Sequence, residues 1–137
     1  MYNMLLDLVV MALSSNEDTE NLPRASRVHA LLLSAKNYVD QNLFRRELNP
    51  DTVARALGIS TRYLHRVFAV DEESFAEYLL GRRLEASAST LSSAAFSHLT
   101  ISEVSLRCAF SDPAYFHRVF KKRFGCTPGD WRSNLRR

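Results

Sequence analysis

A chain of 137 residues, 46% hydrophobic and 24% charged, has apolar material for one ordinary domain or for two very small ones that share a core. Its longest apolar run, residues 8–13, follows the charged Asp7 and is far shorter than the roughly 20 residues of a membrane-spanning helix. The first charge is acidic where a secretory signal would be basic, so the expectation is a cytoplasmic protein with no membrane partner.

Charge is unevenly spread. All 18 Lys and Arg lie at or after Arg24, against 11 of the 15 acids, so that part carries a net charge of +7 while the whole chain carries +3. A segment of that sign points to a polyanionic partner. The two cysteines, Cys108 and Cys126, show neither CxxC nor Cys/His ligand spacing, so they read as reduced structural thiols, with no metal and no cofactor.

In chain order, residues 1–13 carry an apolar helical surface (Met4, Leu5, Leu8, Val9, Ala12) with no core of their own. They are expected to be a subunit interface or the remnant of a preceding effector or dimerisation domain. Residues 14–24 read as a polar, acidic linker. Residues 25–73 form the first predicted subdomain. A helical stripe runs from Val28 through Leu31, Leu32, Ala35, Tyr38 and Val39 toward Leu43, and a short helix over 51–57 turns Val53, Ala54 and Leu57 inward. Gly58 ends that helix, and Ser60 caps the next.

Residues 74–90 read as a connecting helix, with Phe75, Tyr78, Leu79 and Leu84 at helical spacing and an end near Ser89. A Ser/Ala-rich stretch then leads toward Thr100. Residues 91–137 form the second subdomain, where the pattern restarts: Ser102 is expected to cap a short helix with Val104, Ser105 and Cys108 inward. Ala109 and Phe110 answer Gly58 and Ile59, Ser111 is one extra turn residue, and Asp112 caps a helix that begins at Pro113. The expected fold is all-α: two helix-turn-helix subdomains, homeodomain-like helical units, joined by a long connecting helix.

One short phrase occurs twice. "YLHRVF" stands at 63–68 and "YFHRVF" at 115–120. On a helix, Leu64, Val67 and Phe68 share one face, as do Phe116, Val119 and Phe120, and these triplets must be packed. The other faces gather Arg62, His65, Arg66 and Ala69 in the first copy, and Ala114, His117, Arg118 and Lys121 in the second. A helix, a tight turn and a second helix with such a face is the geometry of a major-groove reader. Arg can take the guanine O6 and N7 edge with two parallel bonds, and helix N-termini can hold phosphate. Lys121, Lys122 and Arg123 extend the second helix toward the DNA backbone, although Arg123 turns to the apolar side. Arg82 and Arg83, on the connecting helix, read as solvent-facing charges or salt-bridge partners and not as DNA contacts.

Residues from about Val28 onward resemble the AraC/XylS family of bacterial transcription regulators, through "ALGISTRYLHRVF" at 56–68, "RRLEAS" at 82–87 and "AFSDPAYFHRVFKKRFGCTPGDWR" at 109–132. The resemblance implies sequence-specific binding of double-stranded DNA at promoters, with each reading helix in a successive major-groove segment. It implies base reading by Arg62, His65 and Arg66 in the first unit and by Pro113, Ala114 and Arg118 in the second. Ser60, Thr61, Tyr115, His117, Lys121 and Lys122 are the candidates for the DNA backbone. It further implies contact with RNA polymerase in the bacterial nucleoid, and residues 1–13 offer a surface for a homodimer.

Three positions depart from the family pattern. Pro113 and Ala114 supply no side-chain hydrogen bonds, which places most base discrimination in the first unit. Ala109 stands where the family commonly has Gly, and a left-handed backbone there costs Ala about 1 kcal/mol, so either the turn differs or strain is tolerated. A helical protein-interaction module is the competing reading, and it leaves the repeated basic face without a role. An enzyme is the weakest: relatives fuse this unit to a methyl-acceptor cysteine of DNA repair, but neither cysteine here has an activating base beside it in the sequence.

Overall fold

The computed structural model describes residues 23–135, and every regular element among them is helical. The apolar helix expected over 1–13 and nearly all of the linker over 14–24 lie outside the described residues. No helix among the described residues is long and apolar enough to cross a membrane. The described residues divide into two compact units: the first comprises those up to Asn42 with Glu47–Tyr78, the second Leu43–Arg46 with those from Leu79 onward.

In the first unit, α1 (Arg24–Gln41) buries Leu32, Ala35 and Val39, spaced three and four apart along one stripe. Ser34 is buried beside them and donates its hydroxyl to the Ala30 carbonyl at 3.0 Å, so no polar group is left unsatisfied. Helix α2 (Pro50–Leu57) begins one residue earlier than the sequence predicts. The reason is Asn49, whose side chain accepts from the Thr52 amide at 2.9 Å and leaves Pro50 at the first helical position, where a missing N–H costs nothing. The helix ends in a Schellman pairing: the Gly58 amide donates to the Arg55 carbonyl and the Ile59 amide to the Ala54 carbonyl, with Gly58 at φ +69°.

Helix α3 (Thr61–Ala69) follows the expected cap, Ser60, whose hydroxyl oxygen accepts from the Tyr63 amide at 3.1 Å. Leu64, Val67 and Phe68 are buried, and the Phe68 ring meets Phe75 edge-on at 5.4 Å between centroids. Leu57 is half-buried rather than enclosed. Lys36 ties α1 to the turn after α3 through an ion pair with Asp71 at 2.8 Å, and that ammonium holds the Asp71 carboxyl below its ordinary pKa.

Helix α4 (Phe75–Ser92) starts in the first unit and continues into the second. A reciprocal pair opens it: the Glu77 amide donates to Ser74 Oγ at 3.1 Å while the Ser74 amide donates to the Glu77 carboxylate at 3.0 Å. It outlasts its predicted end near Ser89, because the Ser/Ala-rich stretch does not leave the helix. Thr90 and Ser92 fold their hydroxyls back onto the carbonyls of Ala86 and Ala88, both at 2.8 Å, while Leu91 is buried. A single 3-10 turn, Ala94–Phe96, follows.

Helix α5 (Ile101–Arg107) is capped by Thr100 and not by Ser102. Thr100 Oγ1 accepts from the Glu103 amide at 3.1 Å and the Glu103 carboxylate accepts from the Thr100 amide at 2.7 Å, a full capping box that outbids a lone Ser two residues later. The Thr100 amide, and after it the Thr100 hydroxyl, hold the Glu103 carboxyl below its ordinary pKa. Helices α6 (Pro113–Phe124) and α7 (Pro128–Leu135) complete the unit. Its core gathers Leu84, Ala88, Leu91, Val104, Cys108, Phe110, Phe116 and Phe120. Val119 packs against that core half-buried.

The turn between α5 and α6 answers the conditional raised by Ala109. It repeats the first turn: the Ala109 amide donates to the Leu106 carbonyl at 3.1 Å, the Phe110 amide to the Ser105 carbonyl at 2.9 Å, and Ala109 sits at φ +68°. The strain is therefore tolerated. Its cost of about 1 kcal/mol is smaller than the roughly 1.5–3 kcal/mol gained by burying the Phe110 ring that the turn delivers to the core.

Candidate nucleic-acid interface

The two candidate faces are built by exclusion. Each α3 and α6 surrenders one stripe to its core, and the residues left over are positioned by the cap at the N-terminus and by the packed rings beneath. On α3, Arg62, His65, Arg66 and Ala69 are exposed, and among the described residues none of the three basic side chains makes a hydrogen bond or an ion pair. Ser60 uses its oxygen as an acceptor in the cap, which leaves the hydroxyl proton outward. Thr61 differs: its hydroxyl donates to Asp51 Oδ1 at 2.6 Å, so it is engaged with the first turn of α2.

On α6, Asp112 caps by accepting from the Ala114 amide at 3.0 Å, and Pro113, Ala114, Tyr115, His117, Arg118, Lys121 and Lys122 are all exposed. Arg118 lies over the Tyr115 ring at 5.4 Å, while Phe110 supports that ring from the other element at 6.5 Å. His117 meets the edge of Phe116 at 6.1 Å. Lys121 and Lys122 have no side-chain partner among the described residues. Neither α3 nor α6 contains an acidic residue.

Four other cations of the second unit are taken up by the fold. Arg83 donates to the Leu43 and Arg45 carbonyls, both at 2.9 Å, and burial lowers its pKa. Arg82 and Arg123 both reach the Glu85 carboxylate at 2.7 Å. Arg132 donates to the Leu99 carbonyl at 2.6 Å. The sequence-predicted candidates thus stand together on two outer faces, Thr61 alone being engaged elsewhere. Burial pushes the Cys108 thiol up, so it stays protonated.

Sequence reasoning missed what holds α6 from behind. Trp131 donates its indole N–H to the Ala88 carbonyl and Ser92 Oγ, both at 3.2 Å, and stacks near Phe120 and Phe124. Arg132 and the Glu85 pair are equally long-range. A Gly in the middle of α4, Gly81, is the single local signal that pointed to one of them.

A family model described as a helix-turn-helix domain matches residues 53–134. The solved structure of an AraC-type DNA-binding-domain regulator from Chromobacterium violaceum superposes with a TM-score of 0.71 at 25% identity, over 78% of this chain and 93% of that one. PqrA of Proteus vulgaris, a probable transcription factor, is 33% identical over 99 residues, 71% of this chain and 79% of PqrA. The chain belongs to the AraC-type helix-turn-helix family. This AraC-type chain is a DNA-binding module of transcription regulators, a family that is not one of enzymes. Among longer AraC-type relatives, the transcriptional activator RhrA of Rhizobium meliloti is 33% identical over 116 residues, 85% of this chain. The chain spans 37% of the length of RhrA.

Proposed function

We propose that the chain binds double-stranded DNA sequence-specifically, with α3 and α6 each entering its own major-groove segment. The observation that carries this reading is that α3 and α6 carry no acidic residue and hold exposed cations without an internal partner. Lys36, Arg82, Arg83, Arg123 and Arg132 are tied to carboxylates or carbonyls, whereas Arg62, Arg66, Lys121 and Lys122 stand exposed and unpaired among the described residues, on acid-free helices. A face kept free of internal partners is ready to exchange counterions for phosphates.

Base reading falls to Arg62, His65 and Arg66 on α3, and to Arg118 with the apolar Pro113 and Ala114 on α6. Ser60, Tyr115, His117, Lys121 and Lys122 hold the backbone, and Thr61 follows α2. Tyr115 beneath Arg118 restricts the guanidinium, which favours a fixed contact over a searching one. Most discrimination belongs to α3, since Pro113 and Ala114 offer no side-chain donors. The intact regulator acts at promoters in the bacterial cytoplasm, contacts RNA polymerase, and pairs with a second copy through residues 1–13. A 25–73 reader, a 74–90 connector and a 91–137 reader make up its working parts.

Selection from a randomised duplex pool followed by competition titration tests the reading. A consensus with two unequal half-sites is expected, and binding with no preferred sequence at any salt concentration would sink it. In the selected duplex, Arg66→Ala should weaken discrimination at particular bases by about 1–3 kcal/mol, whereas Lys121→Ala should weaken all sequences alike and lower the salt slope by about one. A chain starting near Arg24 should keep DNA binding while losing self-association in sedimentation.

A further inference from the structure

We infer that Arg123 is a positioning residue for α6: its guanidinium lies across α4 in the gap left by Gly81 and clasps Glu85, so that it sets the pose of the reading helix and contacts no phosphate. The inference rests on the proposed role of α6 as a reader. Glycine is, after proline, the residue least favoured inside a helix, yet Gly81 stands well inside α4 and is buried. The structure supplies the reason. A Cβ added at Gly81 would meet Arg123 Nη1 at 3.1 Å, with Cζ at 3.5 Å and Nη2 at 3.6 Å. The guanidinium therefore lies over the spot that a side chain at Gly81 would fill.

Glu85 lies four residues further on and hence on the same face of α4. From its seat over Gly81, Arg123 reaches Glu85 Oε1 with Nη2 at 2.7 Å, while Arg82 Nη1 holds Oε2 at 2.7 Å. Both carboxylate oxygens are thus occupied, and the carboxylate has one fixed orientation. The guanidinium also lies 5.9 Å from the Phe124 ring, whose other neighbours are Phe120 and Trp131.

Position along α6 gives the clasp its leverage. Arg123 belongs to the last turn, whereas Pro113, Ala114 and Arg118 occupy the first half. Phe116 and Phe120 fix the rotation of the helix by burial. Fastening its far end to α4 then fixes its tilt, which decides where the first half presents its side chains. Lys121 and Lys122, with no such tie, remain the cations offered to the backbone.

The test compares the full chain with Arg123→Gln, Glu85→Gln, the double variant, and Lys122→Gln as a phosphate-contact control. Three quantities are read: amide exchange in the last turn of α6 in the free protein, the salt slope on random-sequence duplex, and discrimination on the selected duplex. Arg123→Gln and Glu85→Gln should each speed exchange by about two- to fivefold, the range open to an exposed pair. The double variant should add nothing beyond Glu85→Gln in the last turn of α6, because the Arg123–Glu85 pair is already lost in either single variant. Arg123→Gln should leave the salt slope unchanged, while Lys122→Gln lowers it by about 0.9. Discrimination should fall by a similar two- to fivefold at the bases facing α6 and not at those facing α3.

A drop in slope for Arg123→Gln equal to that of Lys122→Gln, with tighter binding by Glu85→Gln, overturns the inference and makes Arg123 a phosphate contact. Unchanged exchange in both single variants overturns it as well. Absence of any base preference in the parent chain defeats the sequence-reading proposal alone, since exchange and slope still decide whether the clasp exists.

Discussion

Ala109 and Gly58 occupy the same step of two equivalent turns, at φ +68° and +69°, yet only one of them is a residue that adopts this backbone freely. The cost at Ala109 is borne because Phe110 comes next and is buried, as are Val104 and Cys108 ahead of it. Ala109→Gly should therefore raise the thermal stability of the second unit, by about 1 kcal/mol, without altering contacts of α6. A melting midpoint that does not rise would show that the methyl group, which is half-buried, contributes packing equal to the strain. Gly58→Ala should lower stability by a comparable amount. The repeat aligned Ala109 with Gly58 in the sequence and the family resemblance marked it as a departure, but whether the turn differs or the strain is tolerated was legible only from the backbone.

At the scale of elements, caps decide where helices begin, and they explain most of the differences between expectation and structure. Helix α5 starts at Thr100 because Thr100 and Glu103 satisfy two backbone donors reciprocally, whereas Ser102 satisfies none. The Glu103 carboxyl titrates below its unfolded value, so its contribution is complete above the ordinary carboxylate range, near pH 4.3, and fades as the pH falls through the folded value. The same sign holds for Asp71 beside Lys36. In melts from pH 7 down to 3, Glu103→Gln should therefore be less stable than the parent at neutral pH and converge with it in acid. A constant difference at every pH would mean that Glu103 caps through size and not charge. Helix α4 carries the opposite lesson. Its Ser/Ala-rich end looks like an exit from the helix, but hydroxyls folded onto carbonyls one turn back keep the ladder intact, and only burial of Leu91 reveals which way such a sequence goes.

Over the whole molecule, the two repeated hexapeptides foretold both packed triplets and both outer faces, because each lies on a single helix whose period is fixed. Pairings between distant segments were not legible. Arg123 with Glu85, Arg132 with the Leu99 carbonyl, and Trp131 with Ala88 span 38, 33 and 43 residues, and apart from Gly81 no local pattern marks which distant partner is taken. The consequence for charge is that a net count overstates what is offered to DNA: of the basic residues on α6, Arg123 is withdrawn by the fold.

Trp131 is the single tryptophan of the chain, and it sits in the second unit against Phe120 and Phe124 with its indole N–H bonded to α4. Its emission is consequently a private optical channel for that unit, while the ultraviolet dichroism of the peptide bonds sums over every helix. Phe68→Ala, which hollows the first unit and should cost about 3–5 kcal/mol, is expected to displace the dichroism transition and leave the midpoint of the indole red-shift where it was. Coincident displacement of both signals would show instead that one cooperative transition runs through all seven helices of the described residues. One aromatic ring placed to brace α6 thereby makes the two halves separately visible in a cuvette, with no label attached.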